Sequence, residues 1–274
     1  MTTSVWTLRA VVALLLAVGA ADRLGAQSPA PGPQPAAGSQ AQVDEPRDDG
    51  GRTVARLVPN LLRGTVGVFS TDNVKPLFVG GSATAVGALF DDKIADWIAD
   101  PDHGFGASLE DGAAPAVMGA GVAALFVSGR FVGAARYRAL TYDWLQAFLI
   151  NAGYTTLLKE VVHRGRPNGD DNLSFPSGHA SNAFALATVA ERHYGWKAGV
   201  PAYVLAGAVA VSRLQRNKHY LSDVLAGATL GYIVGRTVVR VNGKPLDMPR
   251  AGAHLSLSPL ISKKARGVVA RVEF

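Results

Sequence analysis

The sequence predicts an all-α protein, a six-helix bundle with its active site at one end, followed by a short C-terminal β-hairpin. Six apolar, Gly/Ala-rich segments are too long for strands and are separated by short polar islands. The 274 residues are 48% apolar and only 18% charged, with 31 glycines, a less charged balance than that of most soluble domains. In the tail the pattern changes to short, alternating runs. There is no cysteine, which excludes a disulfide framework, a thiolate metal site and a lipoprotein anchor. The net charge of +6 is modest and scattered. It favours anionic substrates or membrane surfaces and contains no basic run dense enough for nucleic acid.

Residues 1–26 read as a secretory signal peptide, with Arg9, an apolar core over 10–21, and Leu24-Gly25-Ala26 before Gln27. Residues 27–52 are rich in Pro, Ala, Gln and Gly and turn acidic at Asp44, Glu45, Asp48 and Asp49, as a disordered linker does. The helical domain, 53–248, opens with a short amphipathic helix over 54–69, preliminary to the six and spaced by Val54, Leu57, Leu61, Leu62 and Val66. Predicted helix one covers 75–90. The acidic run after it (Asp91, Asp92, Asp96, Asp100, Asp102, Glu110 and Asp111, around Trp97 and His103) is expected to be a solvated loop or helix end rather than a metal site.

Helix two covers 112–127 and is followed by a basic connection, Arg130, Arg136 and Arg138. Helix three, 139–159, carries Tyr142, Trp144 and Phe148 as packing or lipid-interface groups. Arg166-Pro167-Asn168-Gly169 then stops helical structure within the loop 163–174. Helices four, five and six cover 179–194, 198–213 and 219–241. The tail, 249–274, places β-like runs on either side of Ser262-Lys263-Lys264-Ala265-Arg266. A single hairpin cannot close a barrel, so it is expected to pack on the helical domain.

The chemistry gathers in the polar islands. His219 and Asp223 are four residues apart, so on a helix the carboxylate can orient the imidazole; a surface ion pair is the alternative. Helix four runs about 24 Å away and helix five returns by about as much. Their connection, Gly195-Trp196-Lys197, is short. His179 and the 213–219 stretch therefore meet at one end, with Lys159, Arg164 and Arg166 held near them by the short loop. A helix N-terminus opens there at Pro176-Ser177-Gly178-His179. Convergent cations, two histidines and free backbone N–H groups suit a tetrahedral oxyanion, phosphate first. With no cysteine and no HExxH pattern, side chains rather than a metal are expected to handle the charge. His163 and Arg164 read as lining the entrance or as exposed loop residues. His193, at the far end of helix four, reads as a surface residue.

Lys159-x6-Arg166-Pro167, Pro176-Ser177-Gly178-His179 and Ser212-Arg213-x5-His219-x3-Asp223 together resemble the three-part signature of the type 2 phosphatidic acid phosphatase superfamily. That superfamily also contains vanadium-dependent haloperoxidases. The resemblance covers about residues 74–241, and the gap between its first two parts is short. It implies that His219 is the nucleophile, Asp223 orients it, and His179 is the acid and then the base. It also implies that Lys159, Arg166, Arg213, Ser177 and the Gly178 amide hold the phosphoryl oxygens.

The resemblance further implies a metal-independent phosphatase acting on phosphomonoesters or pyrophosphates, with a phosphorylated lipid or small phosphoester as substrate and no cofactor. The alternatives are a vanadium-dependent haloperoxidase, the only reading that needs vanadate, and a soluble acid phosphatase of broad specificity. A non-enzymatic envelope scaffold built on the tail is the contrasting class. The signal predicts an exported protein, either a soluble or surface-associated periplasmic domain or, as the Gly/Ala-rich segments favour, a bundle associated with the cell-envelope membrane and with its site facing the periplasm.

Overall fold

The computed structural model describes residues 51–98 and 115–243, and the backbone of 254–261 and 266–273. The expected signal peptide, most of the expected linker, the acidic positions from Asp100 to Asp111 and the turn of the tail lie outside the described residues. Among the described residues eight α-helices appear where a bundle of six was expected: α1 (Leu57–Gly67), α2 (Val74–Ala88), α3 (Asp91–Ile98), α4 (Pro115–Phe131), α5 (Ala135–Val162), α6 (Gly178–Tyr194), α7 (Trp196–Gln215) and α8 (Leu221–Asn242). Of the two beyond the six, α1 is the preliminary amphipathic helix that the sequence predicts, and α3 forms from the acidic run expected to be a solvated loop or helix end. Asp91 and Asp92 stand in the first turn of α3, where carboxylates favour the positive end of the helix dipole.

The chain divides into two compact units, Met1–Lys244 and Pro245–Phe274. The expected fold class is corrected on both counts. Among the described residues the first unit has eight helices rather than six, and the strand pair of the tail falls in a separate unit rather than in the helical fold. In the second unit His254–Ile261 and Arg266–Glu273 run antiparallel, with His254 opposite Glu273 and Ile261 opposite Arg266.

Helix α8 is the axis of the first unit. Its glycines recur every four residues, and each faces the backbone of α6. A Cβ at Gly227 would meet the Ser177 carbonyl oxygen at 2.5 Å, and one at Gly235 would meet that of Ala185 at 2.7 Å. The order of these contacts makes α6 and α8 parallel, with both N-termini at the same end. Helix α7 is the return stroke between them. Val189 of α6 and Val234 and Val238 of α8 are buried with Ala147 and Ile150 of α5 in one core cluster. Asn151 of α5 adds a polar clasp, donating to Asn182 Oδ1 at 2.5 Å and accepting from Ser181 Oγ at 2.6 Å.

Candidate active site

Three local structures build the site. Helix α5 ends at His163, whose left-handed backbone (φ 51°) turns the chain out of the helix. The loop that follows is tied to itself, with Ser174 N–H donating to Arg164 O at 2.9 Å and Arg166 N–H to Asp171 O at 3.0 Å. Between α7 and α8 a tight turn passes through Asn217, also left-handed at φ 52°. Its carbonyl accepts from Asn168 N–H at 3.1 Å, which joins turn to loop. Ser177 is buried at the start of α6, and its N–H donates to Asp223 O at 2.9 Å. That bond places the opening turns of α6 and α8 side by side, so two helix dipoles present their positive ends together.

His219, 3% exposed, precedes α8. Its Nδ1 stands 3.8 Å from Asp223 Oδ2, longer than a hydrogen bond. Asp223 is fully buried. Its Oδ2 accepts from Ser174 Oγ at 2.5 Å and from the Tyr220 N–H at 2.8 Å, and its Oδ1 accepts from Arg164 at 2.7 Å. Burial alone would raise this carboxyl, yet His219, Ser174, the Tyr220 amide and Arg164 together hold it below the usual carboxylate range.

Both histidines are neutral in the free site. Burial, then the charges of Arg213, His219, Arg166 and Lys159, push His179 down to about 3. Burial pushes His219 down to about 4; the pull of Asp223 opposes this, and Lys159 and Arg166 add to it. Lys159 is lowered to about 8, first by burial and then by Arg166. These mutual effects require the sequence-derived set to share one small volume. Arg213, 2% exposed, reaches it from the last turn of α7. Gly178 packs against α5, where a Cβ would stand 3.3 Å from Thr155 Cγ2.

Two members of the set also brace the loop. Arg166 donates to Asp171 Oδ1 at 2.6 Å and to Lys218 O at 3.3 Å. The Lys159 amine donates to Leu173 O, and to Ser174 O at 3.5 Å.

Sequence reasoning missed the second row of the site. Arg164 does not line an entrance: it bridges Asp223 and Asp91, at 2.7 and 2.8 Å. Asp91 is buried rather than solvated and accepts from Ser222 N–H at 2.8 Å and Ser222 Oγ at 2.6 Å. Arg164 lies two residues from Arg166, which was a usable signal. Nothing in the acidic run distinguished Asp91. His193 is likewise no free surface residue. Its Nε2 lies 2.8 Å from Oδ2 of the fully buried Asp143, which Arg52 and Asn242 also reach, at 2.8 and 2.7 Å.

Paired helix N-termini, three convergent cations and two neutral histidines, His219 buried and His179 half-buried, suit a phosphoryl-type oxyanion on a helical bundle. Residues 140–246 match the family model of the PAP2 superfamily. Over 109 residues it is 39% identical to a lipid A 1-phosphatase of Porphyromonas gingivalis, covering 36% of this chain and 24% of that protein. Over 114 residues it is 38% identical to a decaprenylphosphoryl-5-phosphoribose phosphatase of Mycobacterium tuberculosis, covering 37% and 62%. The chain thus spans less than two thirds of either relative. A solved transmembrane PAP2-type phosphatidylglycerolphosphate phosphatase from Bacillus subtilis aligns at 21% identity over 67% of this chain and 92% of its own. Its TM-score of 0.36 is too low to bear on fold or function.

Proposed function

We propose that this chain is a phosphatase that hydrolyses phosphomonoesters or pyrophosphates of lipids through a phosphohistidine on His219. The observation that carries the reading is the pairing of His219 with His179 among cations at two parallel helix N-termini. With its Nδ1 side toward Asp223, His219 presents Nε2 to the substrate. The Nε2 lone pair forms the P–N bond as the P–O bond to the leaving group breaks, and His179 delivers a proton to the departing oxygen. Water then attacks phosphorus, His179 takes its proton, and the P–N bond breaks to release phosphate.

Lys159, Arg166, Arg213, Ser177 and the Gly178 amide are assigned to the non-bridging oxygens. Burial first, and then the surrounding cations, keep His179 neutral in the free site. A phosphate dianion offsets those cations, lifts His179 and allows it to serve as the acid. No step is assigned to a metal. The chain's similarity to a lipid A 1-phosphatase and a decaprenylphosphoryl-5-phosphoribose phosphatase supports a lipid phosphate as substrate.

Association with the cell-envelope membrane, with the site toward the periplasm, is part of the proposal. Large apolar side chains lie exposed along α2, among them Leu77, Phe78 at 75% and Val79, and others on α1 and α7. A soluble surface rarely carries so much contiguous apolar area. Among the described residues α8 is the one helix long and apolar enough to cross a membrane, and 44% of its 18-residue apolar stretch is buried in the protein.

The test is phosphate release from a polyprenyl pyrophosphate, a phosphatidate and a soluble aryl phosphate side by side, without added metal and with His219→Ala as blank. Preferential turnover of the lipids is expected. Turnover of the aryl ester alone would replace the lipid reading with a broad-specificity phosphatase, and equal rates in the blank would remove the enzyme reading.

A further inference from the structure

Behind Asp223 lies an ordered row of charges that the reaction described above does not use. Asp91, at the start of α3, accepts the Ser222 N–H at Oδ1 (2.8 Å), and the Ser222 hydroxyl (2.6 Å) and Arg164 (2.8 Å) at Oδ2. The same guanidinium donates to Ser222 Oγ and to Asp223 Oδ1, both at 2.7 Å, and lies 4.2 Å from the centre of the Tyr220 ring. Both carboxylates are buried. Two anions therefore share one cation, and the trio carries a net charge of about −1 into a low-dielectric region where charge counts most. Arg164 occupies Oδ1 of Asp223, which leaves Oδ2 on the side of His219.

We propose that Asp91, acting through Arg164, is a positioning residue of this site. It fixes the place and the effective charge of the group behind Asp223, and so the orientation and basicity of the His219 ring. The inference rests on His219 being the nucleophile. Other charges also face this ring: Asp223 from its own side, Lys159 from α5, Arg166 from the loop, His179 from α6 and Arg213 from α7. Only the Asp91–Arg164 pair acts from behind the carboxylate, where it tunes how strongly Asp223 holds an imidazolium without touching substrate.

The geometry fixes two opposite signs. Arg164→Gln removes the cation that offsets Asp223, so the carboxylate pulls harder on the imidazolium and His219 titrates at higher pH. Asp91→Asn leaves Arg164 un-neutralised, its charge reaches past Asp223, and His219 titrates at lower pH. A residue that merely ties α3 to α8 would produce neither shift.

The experiment is an NMR titration of the His219 imidazole in the full chain, with kcat and KM measured for the same samples. Expected are an upward shift in Arg164→Gln, a downward shift in Asp91→Asn, and a midpoint near wild type in Arg164→Lys, which keeps the charge. With a lipid phosphate substrate kcat should fall about 10- to 100-fold in the first two variants, as for partners one shell behind a reacting centre, with KM within about threefold. Where Asp91→Asn does not fold, Asp91→Ser takes its place with the same expectation. Unmoved midpoints, or shifts of the same sign in Arg164→Gln and Asp91→Asn, overturn the proposal. Opposite shifts in a wild-type protein that releases no phosphate would sustain the charge relay and remove the phosphatase reading instead.

Discussion

Gly231 of α8 lies against Ser181 of α6 so closely that a Cβ on it would stand 2.1 Å from the serine carbonyl oxygen. No side-chain adjustment relieves such a contact, because both partners are backbone. This approach, repeated at Gly227 and Gly235, holds the N-termini of α6 and α8 together and so assembles His179 and His219. Gly231→Ala should therefore push the helices apart, destabilise the fold by at least about 2 kcal/mol and lower kcat. Denaturant unfolding and turnover on one sample check both effects.

Acidification should weaken the folded state through the two histidines. Unfolded, each takes up a proton near its ordinary pKa of 6.5, whereas the folded protein holds them down to about 3 and about 4. Between about pH 6.5 and 4 the unfolded chain binds more protons, so stability is fully present above that window and falls as pH drops through it. His179→Gln and His219→Gln should each flatten the slope of unfolding free energy against pH. An unchanged slope in both variants would mean that the histidines are charged in the fold.

Lys159 should set an alkaline limit to substrate capture. Its amine, lowered to about 8 from 10.5, loses its charge as pH rises through that value, and attraction for the phosphoryl group declines. In kcat/KM, which reports the free enzyme, an alkaline limb near pH 8 is expected in wild type. Lys159→Arg should move that limb to higher pH. A limb that persists at the same pH in this variant assigns it to another group.

The far end of the bundle offers a contrast. Arg52 and His193 both bond to Asp143, which is fully buried. Arg52→Ala strands that carboxylate and should cost about 3–5 kcal/mol of stability. The kcat of protein still folded should stay within about twofold of wild type, because Asp143 touches no part of the site. A stability near wild type would show that His193 and Asn242 satisfy Asp143 unaided.

The site residues were legible in sequence because their spacing carries chemistry. His219 and Asp223 are one helical turn apart, and the short turn after Tyr194 requires α7 to return toward His179. The second row was not legible. Asp91 and Asp223 are brought together by a fold-level contact between α3 and α8, and within an acidic run a buried carboxylate looks like its solvated neighbours. His193 was misjudged for a similar reason, since its partner Asp143 lies on a different helix. The helix count went astray where α3, eight residues long, offers too few turns for a periodic signal.

The central claim is that His219 carries the phosphoryl group, and rapid acid-free quenching of a reaction with 32P-labelled lipid phosphate tests it most directly. The account predicts label on the wild-type protein that is stable to base, lost in acid and absent from His219→Ala, which also fails to turn over. Steady turnover by His219→Ala, or label that survives in that variant, would contradict it.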